Sequence, residues 1–396
     1  MPVKGRSHFD TYTEQNRVKH AILAKYLGAY LRALSRAVDG FHYIDGFAGP
    51  GEYESEHAGS PLYALTLLAE QAKPAAASFV EKDPALFARL EQLVHSAPAS
   101  GSLLDAPWLR QAEFADCVDE LLARPALRRF PRVATFAFAD PCGLTGLYVD
   151  DLAKILRLPY GECLVFFNYD GLNRWVSAIS AGTHPREKLD RFFGSAATAT
   201  EALVCVQAGA SGPSRERCLL DVYLRAVRER SGAKFVLPFR FRANGRDRTS
   251  HYLIHLSQHS LAFTIMKDVM KAESSAAGDY GSFGFIPPDE LVEQGELFRP
   301  NAERARAEIL EVLRRGPQPV SSFAVQWPQR PTDMLVSKEY KRILLELEQE
   351  GTIEVFDART RSLTPAAQRR KKLGQSTLGN DYMVRLPQVS RGTDPT

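Results

Sequence analysis

The chain has 396 residues, which is long for one compact domain and predicts two or three. Its apolar fraction of 44% and charged fraction of 24% are typical of a globular protein, so the composition excludes a disordered chain. Lys and Arg number 50 against 47 for Asp and Glu, and the resulting charge of +3 neither indicates nor excludes a polyanionic partner.

The spacing of the cysteines and the N-terminal residues indicate in which cellular compartment the protein folds. The five cysteines are widely spaced, contain no C-x-x-C pair, and leave one unpaired under any disulfide scheme. The first twenty residues lack the apolar core of a signal peptide, and no segment approaches the roughly 18 apolar residues of a membrane helix. We therefore expect a soluble, cytoplasmic protein with reduced cysteines and no metal site.

The first 170 residues alternate between helical and strand patterns. Strands with nearly continuous apolar content, separated by helices, are typical of a parallel sheet covered on both faces, so the fold class is doubly wound α/β. In chain order the pattern predicts a helix over 13–35, then strands at 41–45 and 77–83 with a helix after each strand. A strand near 111–114 and a helix from Asp116 follow. The last elements of this part are a strand at 132–140, a helix near 148–157 and a strand at 163–170.

Two further strands and a separate domain follow. Asn244-Gly245 between β-rich segments at 235–242 and 251–258 predicts a terminal antiparallel hairpin. A polar segment rich in Gly and Pro predicts a linker over 273–300, so the first domain spans 1–272. In 301–396, two helices and two strands around a basic loop have the order of a small winged helix-turn-helix domain with a C-terminal tail.

A glycine loop follows the first strand in the sequence YIDGFAGPGEY. Asp45, Gly46, Gly49 and Gly51 form D-G-x-x-G-x-G around Phe47, with the glycine spacings in the reverse order to the dinucleotide fingerprint. An acidic residue followed by glycines is typical of the first motif of methyltransferases that use S-adenosylmethionine (SAM). The loop would bend around the amino-acid end of SAM with Asp45 near its amino group, unless it is only a structural turn.

Two more carboxylates lie at or near the ends of predicted strands. Glu81 could accept both ribose hydroxyls, although it lies 30 residues past Gly51, against about 20 for the acidic residue of nucleotide-binding folds. Asp116 is a candidate for the adenine amino group. The structural alternatives are a solvated charge for Glu81 and a helix N-cap for Asp116.

The fourth strand ends in Asp140-Pro141-Cys142-Gly143. Methyltransferases that act on base amino groups carry Asp or Asn, two prolines and an aromatic residue here, and the carboxylate accepts the hydrogens of the amine. Because an aromatic is missing, Phe138, Tyr148 or Tyr169 would have to supply the stacking wall. Cys142 admits a cytosine-C5 mechanism through a thiolate, against the alternative of a buried apolar cysteine.

Several residues are candidates for substrate contact. Asn168, Asn173, Arg174 and Trp175 lie at or just beyond the end of the fifth strand, where polar and aromatic side chains together suit a base, or form an ordinary turn. In the C-terminal domain, basic side chains on the second helix and in the loop between strands could contact phosphates, or be solvated. They are Lys338, Lys341, Arg369, Arg370, Lys371 and Lys372. Arginines of the predicted hairpin form a second basic cluster.

Taken together, YIDGFAGPGEY, GSPL, FVEKDP, FAFADPCGLTGL and FNYDGLNRW resemble the three-Cys-motif partner protein family over roughly residues 10–270. The resemblance implies a class I (Rossmann-like) SAM methyltransferase fold and a partner with a three-cysteine motif, similar to radical-SAM proteins. The leading hypothesis is a SAM-dependent methyltransferase acting on a base amino group of DNA or RNA. The alternatives are a catalytically inactive DNA-binding adaptor for that partner, and cytosine-C5 transfer through Cys142.

Overall fold

The computed structural model describes residues 12–387, apart from 54–56, 208–211, 243–247, 275–282, 286–299, 331–334, 370 and 373–374. The chain divides into two compact units, Met1–Ile286 and Pro287–Thr396.

The first unit is built on an eight-stranded sheet with the order β3-β2-β1-β4-β5-β7-β6-β8. Strands β1 to β5 pair in parallel, whereas β7 is antiparallel to both of its neighbours, β5 and β6. The fold is therefore α/β with a mostly parallel central sheet. The strands are β1 Gly40–Asp45, β2 Ala75–Val80, β3 Trp108–Arg110, β4 Val133–Ala139, β5 Gly161–Phe167, β6 Phe235–Arg242, β7 Thr249–Ser257 and β8 Phe283–Phe285.

Ten α-helices among the described residues of this unit cover both faces of the sheet. One apolar core contains Phe114, Leu152 and Leu172, and the core on the other face contains Leu27 and Leu65. Because helices cover both faces, every residue of β1, β2 and β5 is buried, as their continuous apolar content predicted. The helices are α1 Glu14–Leu34, α2 Ser60–Ala69, α3 Pro84–Ser96, α4 Phe114–Leu122, α5 Val149–Leu156, α6 Tyr169–Ser180, α7 Glu187–Phe193, α8 Ala196–Gln207, α9 Pro213–Ser231 and α10 Ser260–Glu273.

The sheet departs from the sequence prediction at its two edges. The strand expected near 111–114 lies at 108–110, where it pairs with Ser78–Val80 of β2. Part of the predicted linker, 283–285, forms β8 and pairs with β6. Both edge strands have three residues, too few for an apolar pattern to be recognised in the sequence. The proposed Asn244-Gly245 turn lies outside the described residues.

The structure pairs Cys205 on α8 with Cys218 on α9 as a disulfide, with 5.7 Å between their Cα atoms. This differs from the expectation of reduced cysteines. The two residues are 13 apart in sequence and meet because α8 and α9 pack against each other. Cys117 and Cys163 are buried free thiols, and Cys142 is an exposed one.

The second unit has its own apolar core, which includes Ile309, Phe323, Trp327, Leu344 and Val384. A small antiparallel sheet has the order β10-β13-β9, and β11 pairs with β12. A short helical segment at 320–329 lies between the two main helices. The elements are α11 Pro300–Arg314, β9 Gln318–Pro319, α12 Ser337–Gln349, β10 Glu354–Asp357, β11 Lys371–Lys372, β12 Gln375–Ser376 and β13 Tyr382–Arg385. Within the described residues of both units, we find no helix with the length and apolarity required to cross a bilayer.

Candidate functional site

A cavity of about 250 Å³, here called the first cavity, lies at the carboxyl ends of the parallel strands. Successive strands of a parallel sheet end at the same edge, so residues distant in sequence meet there. The loop after β1, the ends of β2 and β4, the start of α4 and a residue of α1 all contribute. The lining residues are Lys19, Gly46, Phe47, Tyr53, Glu81, Lys82, Ala112, Glu113, Phe114, Asp140, Cys142, Gly143, Thr145 and Gly146.

Asp45, at the end of β1, is fully buried and is not among these lining residues. Its carboxylate accepts hydrogen bonds from the Phe47 amide at 3.3 Å and from the Tyr43 hydroxyl at 3.4 Å. Burial raises the pKa of Asp45 to about 7, and the negative charge of Asp140 adds to the rise. In this structure Asp45 contacts the glycine loop through the Phe47 amide, and its contact with a ligand amino group stays a prediction.

The loop glycines are required by the shape of the loop. Gly49 and Gly51 have φ values of 58° and 84°, in the left-handed region that favours glycine. A Cβ on Gly51 would lie 2.4 Å from the Leu93 side chain, and one on Gly46 would lie 2.9 Å from the Phe114 ring. Of the three predicted glycines only Gly46 lines the cavity, so the other two act through loop geometry.

Glu81, at the end of β2, lines the first cavity together with Gly46 and Phe47. Its two carboxylate oxygens accept hydrogen bonds from the backbone amides of Gly49, at 3.0 Å, and Asp83, at 2.7 Å. These bonds fix the carboxylate relative to the glycine loop. Because a carboxylate has about four lone-pair sites, Glu81 retains acceptor capacity for hydroxyl groups in the cavity.

Glu113 lines the cavity at the position where the sequence pointed to Asp116. Asp116 is exposed in the first turn of α4 and is not among the lining residues, whereas Glu113 is the N-cap residue. Residues three apart within a helix share a face, so the difference comes from the backbone: Glu113 precedes the helix in an extended conformation, with φ −74° and ψ 142°, whereas Asp116 lies in the first turn. Beside Glu113, the Phe114 and Phe47 rings lie 6.1 Å apart between centroids.

Asp140, at the end of β4, forms an ion pair with Lys19 of α1, which the sequence patterns did not predict. The Lys19 side chain is 2% exposed, and its Nζ also donates to Asn16 Oδ1 at 3.3 Å and lies 4.8 Å from the centre of the Phe166 ring. The sequence did contain a signal that Lys19 is buried, because Lys19 lies on the same helical face as the buried Ile22 and Leu23. A lysine on such a face requires a carboxylate or acceptor partner.

Cys142 follows the buried Pro141 and is exposed, so it is not the buried apolar cysteine considered as an alternative. Its thiol lines the first cavity. Incomplete solvation there raises the pKa of the Cys142 thiol, and the carboxylates of Asp140 and Glu81 raise it further. The site therefore disfavours the thiolate that a cytosine-C5 mechanism needs.

The predicted substrate residues after β5 are separated by the structure. Asn168 and Arg174 line a second cavity that adjoins the first, and Trp175 lies beside them. Asn173 is not among its lining residues. Of the aromatic residues suggested as a stacking wall, Phe138 and Tyr169 are buried in the apolar cores.

The basic residues of the second unit have different environments. Lys338 is exposed and Lys341 half-buried on α12. The Arg369 side chain is fully buried and pairs with Glu348, so the prediction that it contacts phosphate is wrong. Arg370 lies outside the described residues, and of Lys371 and Lys372 only the backbone is described.

Comparisons with known proteins give no family-model match and no match among curated proteins. Among solved structures, a Legionella pneumophila protein has 13% identity over 65% of this chain and 90% of its own, with a TM-score of 0.39. A Bacillus cereus O-methyltransferase in complex with SAH has 9% identity over 63% and 83%, with a TM-score of 0.32. The Streptomyces achromogenes O-methyltransferase TomG in complex with SAM has 12% identity over 63% and 82%, with a TM-score of 0.31. The function of this chain is therefore inferred from its own residues.

Proposed function

We propose that this chain is a SAM-dependent methyltransferase with a class I fold. The observation that carries the proposal is the pair of hydrogen-bond acceptors in the first cavity, where the carboxylates of Glu81 and Glu113 lie beside the glycine loop and the Phe114 ring. Strand β7, which is antiparallel to its neighbours, also distinguishes the sheet from a dinucleotide-binding one, whose strands run in one direction.

The residues of the first cavity fit the parts of SAM. A strand-end carboxylate suits ribose hydroxyls, and Glu81 is already fixed against the glycine loop by two amides. Glu113 can accept hydrogens from an exocyclic amine, and the adjoining Phe47 and Phe114 rings offer an apolar surface to a purine. When bound, SAM supplies an electrophilic methyl group.

Asp140 would orient the methyl acceptor, and Lys19 would hold Asp140 in place. Asp140 is 24% exposed at the cavity wall, so its carboxylate can accept a hydrogen bond from an acceptor amine. The ammonium of Lys19 fixes the orientation of this carboxylate and offsets its charge. We assign Asp140 to acceptor orientation and Lys19 to positioning Asp140.

We propose a base amino group of DNA or RNA as the acceptor. The second unit, with helices α11 and α12 and the antiparallel sheet β10-β13-β9, is proposed as a winged helix-turn-helix that contacts the phosphate backbone. The family resemblance supports a partner protein with a three-cysteine motif. A catalytically inactive adaptor is the competing function, motivated by the Cys142-Gly143 sequence where a base methyltransferase carries an aromatic residue.

Calorimetric titration tests cofactor binding. We expect SAM and SAH to bind the wild-type protein and Glu81→Gln to weaken both by roughly tenfold or more, because a charged hydrogen-bond acceptor contributes about 1.5–3 kcal/mol. Glu91→Gln, an exposed residue of α3, is the matched control and should bind as wild type. Binding of NADH or ATP without SAM or SAH would refute the proposal.

Methyl transfer separates the enzyme from the adaptor. Labelled SAM is incubated with single-stranded and double-stranded DNA and RNA, with the wild type, Asp140→Ala and Lys19→Met. We expect transfer by the wild type and a loss of about a hundredfold or more in Asp140→Ala, with SAH affinity retained. If the wild type transfers nothing, alone or with its partner, yet still binds DNA, the adaptor function replaces the proposal.

A further inference from the structure

A second cavity, of about 380 Å³, adjoins the first and shares Cys142, Gly143 and Thr145 with it. Its other walls come from the start of α6 and from the segment that leads into α7. The lining residues are Cys142, Gly143, Leu144, Thr145, Asn168, Gly171, Arg174, Trp175, His184, Pro185 and Lys188. Since a methyl acceptor must reach the cofactor, a cavity that opens onto the cofactor site is a candidate acceptor site; this step rests on the proposed function.

The two cavities differ in charge. The first cavity is mixed in charge, because the carboxylates of Glu81, Glu113 and Asp140 line it together with Lys19 and Lys82. The second has Arg174, Lys188 and His184 on its walls, and none of the described residues that line it is acidic. Because Arg174 and Lys188 bring positive charge and the described residues of its walls bring no carboxylate, the second cavity favours an anionic ligand and suits a different chemical group from the first.

Arg174 is available to a ligand. Its side chain is 73% exposed, and its guanidinium lies 3.6 Å from the Asp170 carboxylate. Asp170 also pairs with Arg248 at 3.2 Å, so two arginines share one carboxylate and leave an excess positive charge. Because a guanidinium presents several donors in one plane, Arg174 can hold a phosphate and keep its contact with Asp170.

Trp175 and Asn168 provide features for a planar ring. The Trp175 side chain is half-buried and packs edge-on against Phe192, with centroids 6.1 Å apart and an interplanar angle of 80°, which restrains the indole. Asn168 Oδ1 accepts a hydrogen bond from the Gly171 amide at 2.7 Å, which leaves the amide NH₂ as a donor. A Cβ placed on Gly143 would have no neighbour within 4 Å, so the space beside the shared wall is open.

We propose that the second cavity binds a nucleotide, with its base against Trp175 and Asn168 and its phosphate on Arg174 and Lys188. The aromatic wall absent after Asp140-Pro141 is thus supplied from α6. A nucleotide of a single strand and a free nucleoside monophosphate share this chemistry. Stacking on an aromatic side chain contributes about 1–3 kcal/mol per base, enough for a measurable effect of Trp175 alone.

Protection of Cys142 from alkylation tests the proposal without methyl transfer. Cys142 lies in the wall that the cavities share, and the other two free thiols are buried. The protein is saturated with SAH, and the rate of alkylation is measured with a short single-stranded DNA, the matching RNA, adenosine monophosphate or inorganic phosphate. We expect at least one nucleotide probe to slow alkylation and quench tryptophan fluorescence at concentrations where inorganic phosphate has no effect.

Three variants test the assigned contacts. Arg174→Gln with Lys188→Gln, and separately Trp175→Leu, should each weaken nucleotide binding by about tenfold, the size expected for one stacked base or its phosphate contacts. Lys73→Gln with Lys234→Gln is the charge-matched control, because these residues precede β2 and β6 at the opposite edge of the sheet. The control should bind within about twofold of the wild type. Circular dichroism checks the fold of each variant.

The outcomes distinguish a failure of the nucleotide site from a failure of the methyltransferase proposal. Tighter protection by an oligonucleotide assigns a nucleotide within a strand, and equal protection by adenosine monophosphate assigns a free nucleotide; both support the shared chemistry. Protection by nucleotides without SAH binding would refute the methyltransferase and leave this site standing. The proposal is overturned if no nucleotide probe protects Cys142, if inorganic phosphate protects equally, or if the variants bind like the control.

Discussion

The two units of the chain use charged residues in different ways. In the sheet unit, Glu81 and Asp140 come from different strand ends and meet at one cavity. In the second unit, Arg369 is buried and paired with Glu348, although the sequence placed it in a basic loop, whereas Lys338 is exposed. A strand end in a parallel sheet fixes where a side chain lies, whereas a cluster of basic residues in a loop does not.

Breaking the buried pair of the second unit should have the largest effect on stability. Arg369→Ala leaves Glu348, 12% exposed, without its partner, so we expect a loss of about 3–5 kcal/mol in the free energy of unfolding. Arg342→Ala is the control, since Arg342 is 65% exposed and lies 3.7 Å from Glu346; it should cost about 0–1 kcal/mol. Urea denaturation followed by circular dichroism measures both, and equal losses would contradict the assignment.

Asp45 in the sheet unit should make stability depend on pH. Because burial raises its pKa to about 7 from 3.8, its contribution is fully present below 3.8 and is lost as pH rises to 7. We expect Asp45→Asn to become more stable than the wild type, by a few kcal/mol, between about pH 5 and pH 8. Urea midpoints across this range provide the measurement, and an unchanged pH profile would show that Asp45 does not titrate in the folded state.

Asp357 of the second unit should behave in the opposite way. The amides of Thr360 and Arg359 donate to its carboxylate and lower its pKa. Its contribution is therefore present above pH 3.8 and is lost as the pH falls through the lowered value. Asp357→Asn should reduce the loss of stability in acid, measured by the same urea midpoints at low pH. A larger loss in acid than in the wild type would contradict this sign.

Substitutions in the basic loop of the second unit should have the smallest effect, and this effect should be confined to nucleic-acid binding. Replacing Arg370, Lys371 and Lys372 with Ala, and leaving Arg369 in place, should weaken binding about equally across sequences. The salt slope on duplex DNA should flatten by up to about 0.9 for each phosphate that is no longer neutralised. Gel shifts at several salt concentrations measure this, with Lys73→Gln and Lys234→Gln as control. An unchanged salt slope would show that this loop is solvated and does not contact phosphates.

Local sequence patterns determined the framework of the sheet unit. Continuous apolar segments correctly placed β1, β2, β4 and β5, because a strand buried on both faces must be apolar throughout. Strand-end position then identified Glu81 and Asp140 as cavity residues, since the carboxyl ends of parallel strands meet at one edge.

Tertiary packing decided the partners of these residues. Lys19 reaches Asp140 across 121 positions, and Arg369 reaches Glu348 across 21, through helices whose placement no local pattern encodes. Asp45 is fully buried at the end of β1, and Glu113 rather than Asp116 lines the cavity because Glu113 is the extended N-cap residue of α4, whereas Asp116 lies within the helix. Sequence specified which strand ends carry charge, whereas the packing of α1, α4 and α6 against the sheet determined which charges face the cavities, because side-chain direction depends on the helix surface that is buried.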